Sequence, residues 1–249
     1  NLTIIVPPYV QTPFVVLQKP GCDDGYGSVR IDSNVLLSNA ELLSGPSNYA
    51  GTLPLSLSII GGTSIYLSNL PEGDYVVQST NFCGVTRTDS IHVVGYQEIQ
   101  TNVQLQKYCG SFNLYLEHNS NTNNSDNSEV FWIQKYNSTA NLWEHPITGF
   151  DYVDGSLLTG MNAISISNYV NNINLQFSGI IRIVKVSKIY SFAGQSINCI
   201  KTIHSFEIAD GPTIINIDTI GCLNGNSEAI VIADGVPPLN YRITTKDGA

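Results

Sequence analysis

Short apolar segments recur along the chain, and several alternate hydrophobic and polar positions with a period of two. Such alternation is typical of strands that bury one face. The segments are rich in β-branched and aromatic residues and are bounded by Gly, Pro, Asn or Asp, as strands usually are. Only the segment 34–45 has a helical character, and we expect a single turn there. The predicted strands are SVRIDS (28–33), DYVVQST (74–80), SIHVV (90–94), FNLYLEH (112–118), EVFWIQKY (129–136), AISIS (163–167), GIIRIVKVS (179–187) and TIHSFEI (202–208).

The segments that precede three of the five cysteines resemble one another. They read VVLQKPGC up to Cys22, VQLQKYC up to Cys109 and INIDTIGC up to Cys222. In each case another β-prone segment ends 14 to 16 residues before the cysteine. Three nearly equal spacings indicate an internal repeat.

This repeat predicts a modular chain. We expect residues 1–12 to hold the last strand of a preceding module and a joint. Residues 13–96 would form one module, residues 97–211 a second and longer one, and residues 212–249 the start of a truncated third. Many short strands in about 90 to 115 residues favour a β-sandwich. The predicted fold class is therefore all-β, with tandem immunoglobulin-like β-sandwich modules cut from a longer array.

One detail favours the immunoglobulin-like type of sandwich. The segment LPEGDYVV (70–77) resembles a tyrosine corner, with Tyr75 entering a strand just after a glycine turn. The corresponding segment LQFSGIIRIV (175–184) has Ile181 at the tyrosine position, so the second module lacks the corner hydroxyl.

The cysteines follow an early and late pattern in the two complete modules. This pattern predicts the disulfides Cys22–Cys83 and Cys109–Cys199, and it leaves Cys222 unpaired by truncation. Such bonds form in oxidising compartments. The alternative is five free, buried thiols in a cytosolic protein. A zinc site is disfavoured because no CxxC motif exists.

Composition excludes several classes of partner. Charged residues make up only 12% of the 249 residues, and the net charge is −9. This balance argues against phosphate backbones and anionic membranes, so we expect no nucleic-acid partner and no membrane insertion. No apolar run is long enough for a transmembrane helix.

No catalytic signature is present, so we expect no enzymatic activity. The four histidines stand singly in or beside strands, where packing or surface roles are far commoner than catalysis. Asp23 and Asp24 in GCDDGYG could offer oxygen ligands to calcium, but Asp-Gly is a common turn pair. We therefore predict no cofactor and no metal site.

The segment EVFWIQKYNSTANLWEHP (129–146) predicts a hairpin. Pairing Tyr136 with Asn141 would place Trp132, Tyr136 and Trp143 on one face. One hypothesis makes these three aromatic residues an exposed ligand platform. The other packs at least one Trp into the core beside the Cys109–Cys199 bond, and the charges of the opposite face favour it.

Four segments share features of one known family of repeats. They are GCDDGYGSVRI (21–31), LSNLPEGDYVVQSTNFCG (67–84), WIQKYNSTANLWE (132–144) and GCLNGNSEAIVIADGVPPLNYRI (221–243). They resemble segments of the large repeat proteins of Bacteroidetes cell surfaces that are exported by type IX secretion, including gliding-motility adhesins with SprB-type repeats. The resemblance covers most of the chain. The first module departs from the family pattern because it lacks a plain Gly-Gly-x-x-Pro-Tyr stretch, and the second because it lacks the closing Tyr.

The resemblance implies a non-enzymatic segment of a large secreted adhesin at the cell surface. It would act as a spacer with ligand contact, in gliding or attachment, and its partners would be a surface polysaccharide or another surface protein, together with the type IX machinery. The alternative is an accessory carbohydrate-binding β-sandwich region of a secreted glycan-degrading enzyme. Exposed coplanar aromatic side chains would favour the alternative, whereas a tandem array favours the adhesin.

Overall fold

The structure is a computed structural model that describes residues 12–122, 128–223 and 226–234. All regular structure in these ranges is β-strand, which confirms the all-β prediction. The strands are β1 (Val15–Pro20), β2 (Tyr26–Asp32), β3 (Leu37–Ser44), β4 (Leu55–Ser56), β5 (Ile59–Ile60), β6 (Ser64–Pro71), β7 (Gly73–Asn81), β8 (Thr86–Val93), β9 (Glu98–Tyr108), β10 (Ser111–Ser120), β11 (Glu129–Asn137), β12 (Leu142–Glu144), β13 (Asp151–Tyr152), β14 (Ile164–Ile166), β15 (Asn171–Leu175), β16 (Gly179–Tyr190), β17 (Ser196–Ile208), β18 (Thr213–Leu223) and β19 (Asn226–Asp234).

The described residues fall into two compact units. Unit 1 contains those of 1–100, 119–130 and 186–201, and unit 2 contains those of 101–118, 131–185 and 202–249. The predicted module boundaries at 12, 96 and 211 stay predictions. The strand expected within residues 1–12 lies outside the described residues, except for Thr12.

Unit 1 is built from two four-stranded antiparallel sheets. One has the order β1-β2-β6-β5 and the other the order β4-β3-β7-β8. Alternate residues of both sheets form one hydrophobic core, as in a sandwich with one buried face per sheet. Its central members include Val29 and Ile31 of β2, Leu67 of β6, Leu42 of β3 and Val77 of β7, all fully buried.

The helical turn expected within 34–45 is wrong, because this segment forms strand β3. Leu37 and Ala40 are both buried although they are three residues apart, a spacing that imitates a helix. The cause is a β-bulge: Leu37 pairs with Asn81 and Asn39 with Thr80, so Ser38 is an extra residue on β3. The bulge returns Ala40 and Leu42 to the core face.

Tyr75 makes the contact expected of a tyrosine corner. Its side chain is fully buried, and its hydroxyl donates a 2.9 Å hydrogen bond to the carbonyl oxygen of Pro71, four residues upstream. Burial raises the pKa of Tyr75 to about 12. In unit 2 the corresponding Ile181 is also fully buried, so that position contributes apolar packing instead.

Replacing Tyr75 by Phe should lower the free energy of unfolding by about 1 kcal/mol, because Pro71 loses a hydrogen-bond donor. The folded pKa lies above the unfolded value of about 10, so the protonated tyrosine stabilises the fold below pH ~10. That stabilisation is lost as the pH rises from ~10 through ~12. Urea unfolding between pH 8 and 12 should therefore show that the free energy of unfolding falls less in the variant than in the natural chain. Equal decreases would contradict the assignment of this pH dependence to Tyr75.

Unit 2 contains a second core between two further sheets. One sheet has the order β15-β10-β9, and the other has the order β13-β12-β11-β16-β17, with β14 also paired to β11. Phe112, Leu114 and Leu116 of β10 meet Ile133 of β11 and Ile183 of β16, and all five are fully buried. The two cores fit the β-sandwich expected from the strand pattern.

The structure has a disulfide, but it joins Cys22 to Cys199, with a Cα–Cα distance of 5.2 Å. The predicted pairs Cys22–Cys83 and Cys109–Cys199 are therefore both wrong. The side chains of Cys83 and Cys109 are exposed. Cys222 lies on β18, and its side chain is outside the described residues.

Strand length explains why the predicted pairs do not form. The backbone amide of Glu72, just before β7, donates to the carbonyl oxygen of Gly25 near Cys22, whereas Cys83 follows the opposite end of β7. At about 3.3 Å per residue, the length of β7 places Cys83 roughly 30 Å from Cys22. A disulfide needs Cα atoms within ~7 Å of each other. The same reasoning applies to Cys109 and Cys199. The backbone amide of Gly110, next to Cys109, donates to the carbonyl oxygen of Ala209. Ala209 follows the end of β17, and most of that strand separates it from Cys199.

Residues of the expected third module form the antiparallel hairpin β18–β19. Ile214, Ile215 and Ile217 of β18 are more than half exposed, as is Val231 of β19. The part beyond residue 234 lies outside the described residues, so the expected truncated module stays a prediction.

Candidate functional site

The β11–β12 hairpin forms, but with a different register from the predicted one. Tyr136 pairs with Trp143 and Asn137 pairs with Leu142, instead of Tyr136 with Asn141. The side-chain oxygen of Asn137 accepts hydrogen bonds from the amides of Thr139 and Ala140, which fixes the loop one residue further along the chain. The residue paired with Tyr136 moves by two positions, from Asn141 to Trp143, and a shift by an even number of residues leaves each face with its predicted side chains.

The aromatic face of this hairpin, formed by Trp132, Tyr136 and Trp143, points away from the core. Phe131 and Ile133 are buried in the core of unit 2, so Trp132 and Tyr136 extend from the opposite face of β11. Trp143 lies opposite Tyr136 on that same face, and all three aromatic side chains are half-buried. The expectation that a Trp packs into the core beside the Cys109–Cys199 bond is therefore wrong.

The charges that favoured the core hypothesis lie where the core ends. Lys135 and Glu144 share the core-facing side of the hairpin and are paired directly opposite each other. Both are half-buried, and Glu144 accepts a 2.8 Å hydrogen bond from the side chain of Asn137. The hairpin extends beyond the last residue that packs in the core. Lys135 and Glu144 therefore contact water although they lie on the face that is buried further along the strand.

Arg182 of β16 lies against the aromatic face. Its guanidinium carbon is 4.2 Å from the ring centre of Trp143 and 5.5 Å from that of Tyr152. Its Nε and Nη2 atoms donate to the side-chain oxygen of Gln134 at 3.0 and 2.6 Å. Burial lowers the pKa of Arg182, but a guanidinium stays charged at neutral pH. The cation is thus held by two aromatic rings and one amide oxygen.

The segment between β12 and β14 covers part of this face. Gln134 is fully buried, and its Nε2 donates to the carbonyl oxygen of Asn162 at 3.0 Å. The Asn162 side chain closes the loop with two hydrogen bonds. Its Nδ2 donates to the carbonyl oxygen of Leu157 at 3.0 Å, and its Oδ1 accepts from the backbone amide of Thr159 at 2.9 Å. The Gln134 amide therefore uses both its donor and its acceptor, as a buried polar group should.

Two of the three predicted platform residues remain available for a ligand. Trp143 contacts Arg182 on its ring face, and Tyr136 meets it edge-on with 5.2 Å between the ring centres. Trp132 lies further along β11, opposite the exposed Ser165 of β14. The aromatic face can stack against flat apolar surfaces of a ligand. Its three side chains supply no nucleophile and no acid–base pair.

Sequence reasoning missed Arg182, Gln134 and Tyr152 as parts of this face. The signal for Arg182 was present, because it interrupts the apolar segment GIIRIVKVS at a position that alternates with the buried Ile181 and Ile183. Its contact with Tyr152 could not be inferred, because Tyr152 lies on β13, a strand of two residues that is too short to show periodicity.

The other candidate ligand groups have structural roles. The turn that contains Asp23 is closed by a 3.1 Å hydrogen bond from the Tyr26 amide to the Asp23 carbonyl. His118 is buried and its ring lies 2.7 Å from the hydroxyl of Thr101. In the parts of the chain that the structure describes, no cluster of three or more His, Cys, Asp or Glu side chains could hold a metal ion.

A cavity of about 680 Å³ lies in unit 1 between β1, residues 94–96 and Tyr190. Its polar side chains are engaged in the fold. Gln18 donates to the carbonyl of His92 at 2.7 Å, and Asn121 donates to the carbonyl of Gly95 at 2.7 Å. Burial and the Glu129 carboxylate raise the pKa of Tyr96 in its wall, so that phenol is protonated at neutral pH.

No protein-family model matches the sequence. No curated protein has significant similarity to it. Within the described residues, no helix is long enough and apolar enough to cross a membrane.

Proposed function

We propose that the chain is a non-enzymatic segment of a secreted cell-surface adhesin, built from tandem immunoglobulin-like modules. It acts as a spacer, and it contacts a surface polysaccharide through the aromatic face. Export by the type IX secretion system belongs to the same proposal, which draws on the resemblance of the Cys-bounded segments.

The Cys22–Cys199 bond supports a location outside the cytosol. Disulfides persist in oxidising compartments and are rare where thiols are kept reduced. The low share of charged residues and the net charge of −9 agree with an extracellular surface kept soluble by hydroxyl and amide groups.

The outward aromatic face is the observation that carries the ligand contact. Trp132 and Tyr136 are half-exposed on a rigid strand whose other side is anchored in the core by Phe131 and Ile133. Aromatic rings that keep a polar edge in water are common at binding surfaces. They stack well on the apolar C–H faces of sugar rings.

The same face also favours the second candidate, an accessory carbohydrate-binding region of a secreted glycan-degrading enzyme. The two functions predict different neighbours in the parent protein. Further Cys-bounded modules and a C-terminal sorting domain favour the adhesin, whereas a catalytic domain favours the accessory region.

Replacing Trp132 and Tyr136 together by Ala should strongly weaken retention of the chain on immobilised cell-surface polysaccharide, because both stacking rings are lost. The melting temperature should fall by only a few degrees, since neither ring belongs to the core. Phe82→Ala is the matched control, because Phe82 is 73% exposed in unit 1. Retention that is undiminished in the double variant, or absence of retention by the natural chain, would refute the aromatic face as the contact.

A further inference from the structure

The outer face of the sheet β15-β10-β9 forms a groove in unit 2. On β10 the side chains of Phe112, Leu114 and Leu116 enter the core, so Asn113 and Tyr115 extend to the opposite face. Tyr115 lies directly opposite Asn171 of β15. A groove of about 320 Å³ lies over these residues, and β9 contributes Gln104 and Gln106 to its wall.

The groove is lined by amides and contains no charge. Among the described residues, its lining consists of four Asn or Gln side chains, the Tyr115 phenol and the apolar Leu105 and Ile173, with no Lys, Arg, Asp, Glu or His. A dense array of amides on adjacent strands is a poor surface for an apolar partner, because each amide would need a new hydrogen bond on burial. It is equally poor for an ion, because it offers no countercharge.

Two amides of the groove, Asn113 and Gln106, are hydrogen-bonded to each other, and the other two are open. Asn113 donates to the side-chain oxygen of Gln106 at 3.1 Å and accepts from the backbone amide of Asn174 at 2.8 Å. Within the described residues, the side chains of Gln104, Asn171 and Tyr115 make no hydrogen bond. The groove thus presents two open amides and a hydroxyl on a rigid support of paired strands.

We propose that this groove binds a short segment of an uncharged oligosaccharide. Each amide can donate to one sugar hydroxyl and accept from its neighbour, while the half-buried ring of Tyr115 can lie against the C–H face of a sugar. The volume is at the lower end of the range for small-molecule sites, so the groove accommodates one part of a longer chain. The site lies on a different sheet from the aromatic face, and the inference does not depend on the proposed function.

The test uses the whole chain and a set of short neutral oligosaccharides of glucose, galactose, mannose and xylose, with uronic-acid oligosaccharides as charged probes. Titration calorimetry should detect binding of at least one neutral oligosaccharide and weaker binding of the charged ones. The double variant Gln104→Ala with Asn171→Ala should bind at least tenfold more weakly, because two hydrogen bonds are lost. Tyr115→Phe separates the contribution of the hydroxyl from that of the ring.

Gln78→Ala is the matched control, since Gln78 is a strand amide on β7 in unit 1. It should bind like the natural chain, as should the double variant of Trp132 and Tyr136, which tests the proposed function separately. The inference is overturned if no neutral oligosaccharide binds, if the Gln104 and Asn171 variant binds unchanged with an intact fold, or if uronic-acid probes bind more tightly. Retention of a protein by the groove, without any sugar, would also overturn it.

Discussion

Removing the Cys22–Cys199 bond by replacing both cysteines with Ser should lower the free energy of unfolding of unit 1 by about 5 kcal/mol. The bond closes a loop with a sequence separation of 177 residues, and the entropy that such a closure removes from the unfolded chain increases with loop length. Both cysteines are partly exposed, so the two serines add little cost of their own. Guanidinium unfolding of the natural chain and the double variant, each followed by far-UV and near-UV circular dichroism, measures the difference, because both tryptophans belong to unit 2 and their fluorescence would not report unit 1.

Cys83→Ser is the control for this experiment. Cys83 is a free, exposed thiol, and its replacement should leave stability within about 0.5 kcal/mol of the natural value. Peptide mapping without reduction should recover Cys22 linked to Cys199. A link between Cys22 and Cys83, or a large loss of stability in the Cys83 variant, would show that the connectivity is wrong.

Replacing Arg182 by Ala should lower the stability of unit 2 by about 2 to 4 kcal/mol. The change removes two hydrogen bonds from a guanidinium and leaves the fully buried side-chain oxygen of Gln134 without a donor from Arg182. An unsatisfied buried acceptor costs about 1 to 3 kcal/mol, and the contact with Trp143 adds about 0.5 to 2 kcal/mol. Thermal and urea unfolding of the variant measure the loss.

A double-mutant cycle isolates the contact between the cation and the ring. Arg182→Ala, Trp143→Ala and the double variant should show a coupling free energy of about 1 kcal/mol. Arg30→Ala is the matched control, because the Arg30–Asp32 ion pair is partly exposed and should contribute only about 1 kcal/mol or less. Zero coupling, together with an Arg182 variant as stable as the Arg30 variant, would show that this cluster is not structural.

The same cycle separates the two roles that sequence reasoning offered for Trp143. A ring held between Arg182 and Tyr136 stabilises the loop cover of the sheet, so its loss should affect stability more than ligand retention. Among the residues that the structure describes, no cation contacts the ring of Trp132, and its loss should affect retention more than stability. The proposal thus divides the predicted platform into one structural ring, Trp143, and two rings for ligand contact, Trp132 and Tyr136.

Period-two alternation was enough to locate most of the strands, because a strand that buries one face must alternate its side chains. It failed at β3, where the bulge at Ser38 changes the spacing of the buried residues to three. Local sequence also indicated a tyrosine corner at Tyr75, and the structure shows its hydroxyl bonded to Pro71, four residues upstream. Where partners are close in sequence, the pattern of residues determines the contact.

The sequence by itself determined an all-β chain, the two faces of the β11–β12 hairpin and the type of chemistry each face carries. Only the tertiary structure decided which of those faces is buried, because that depends on Leu114 and Leu116 of another strand. It also decided that Cys22 bonds Cys199. Cysteine pairing depends on which strand ends meet in space, and the length of β7 places Cys83 far from Cys22. Spacing along the chain carries no information on that distance, because strands from distant segments bring the two sulfur atoms together.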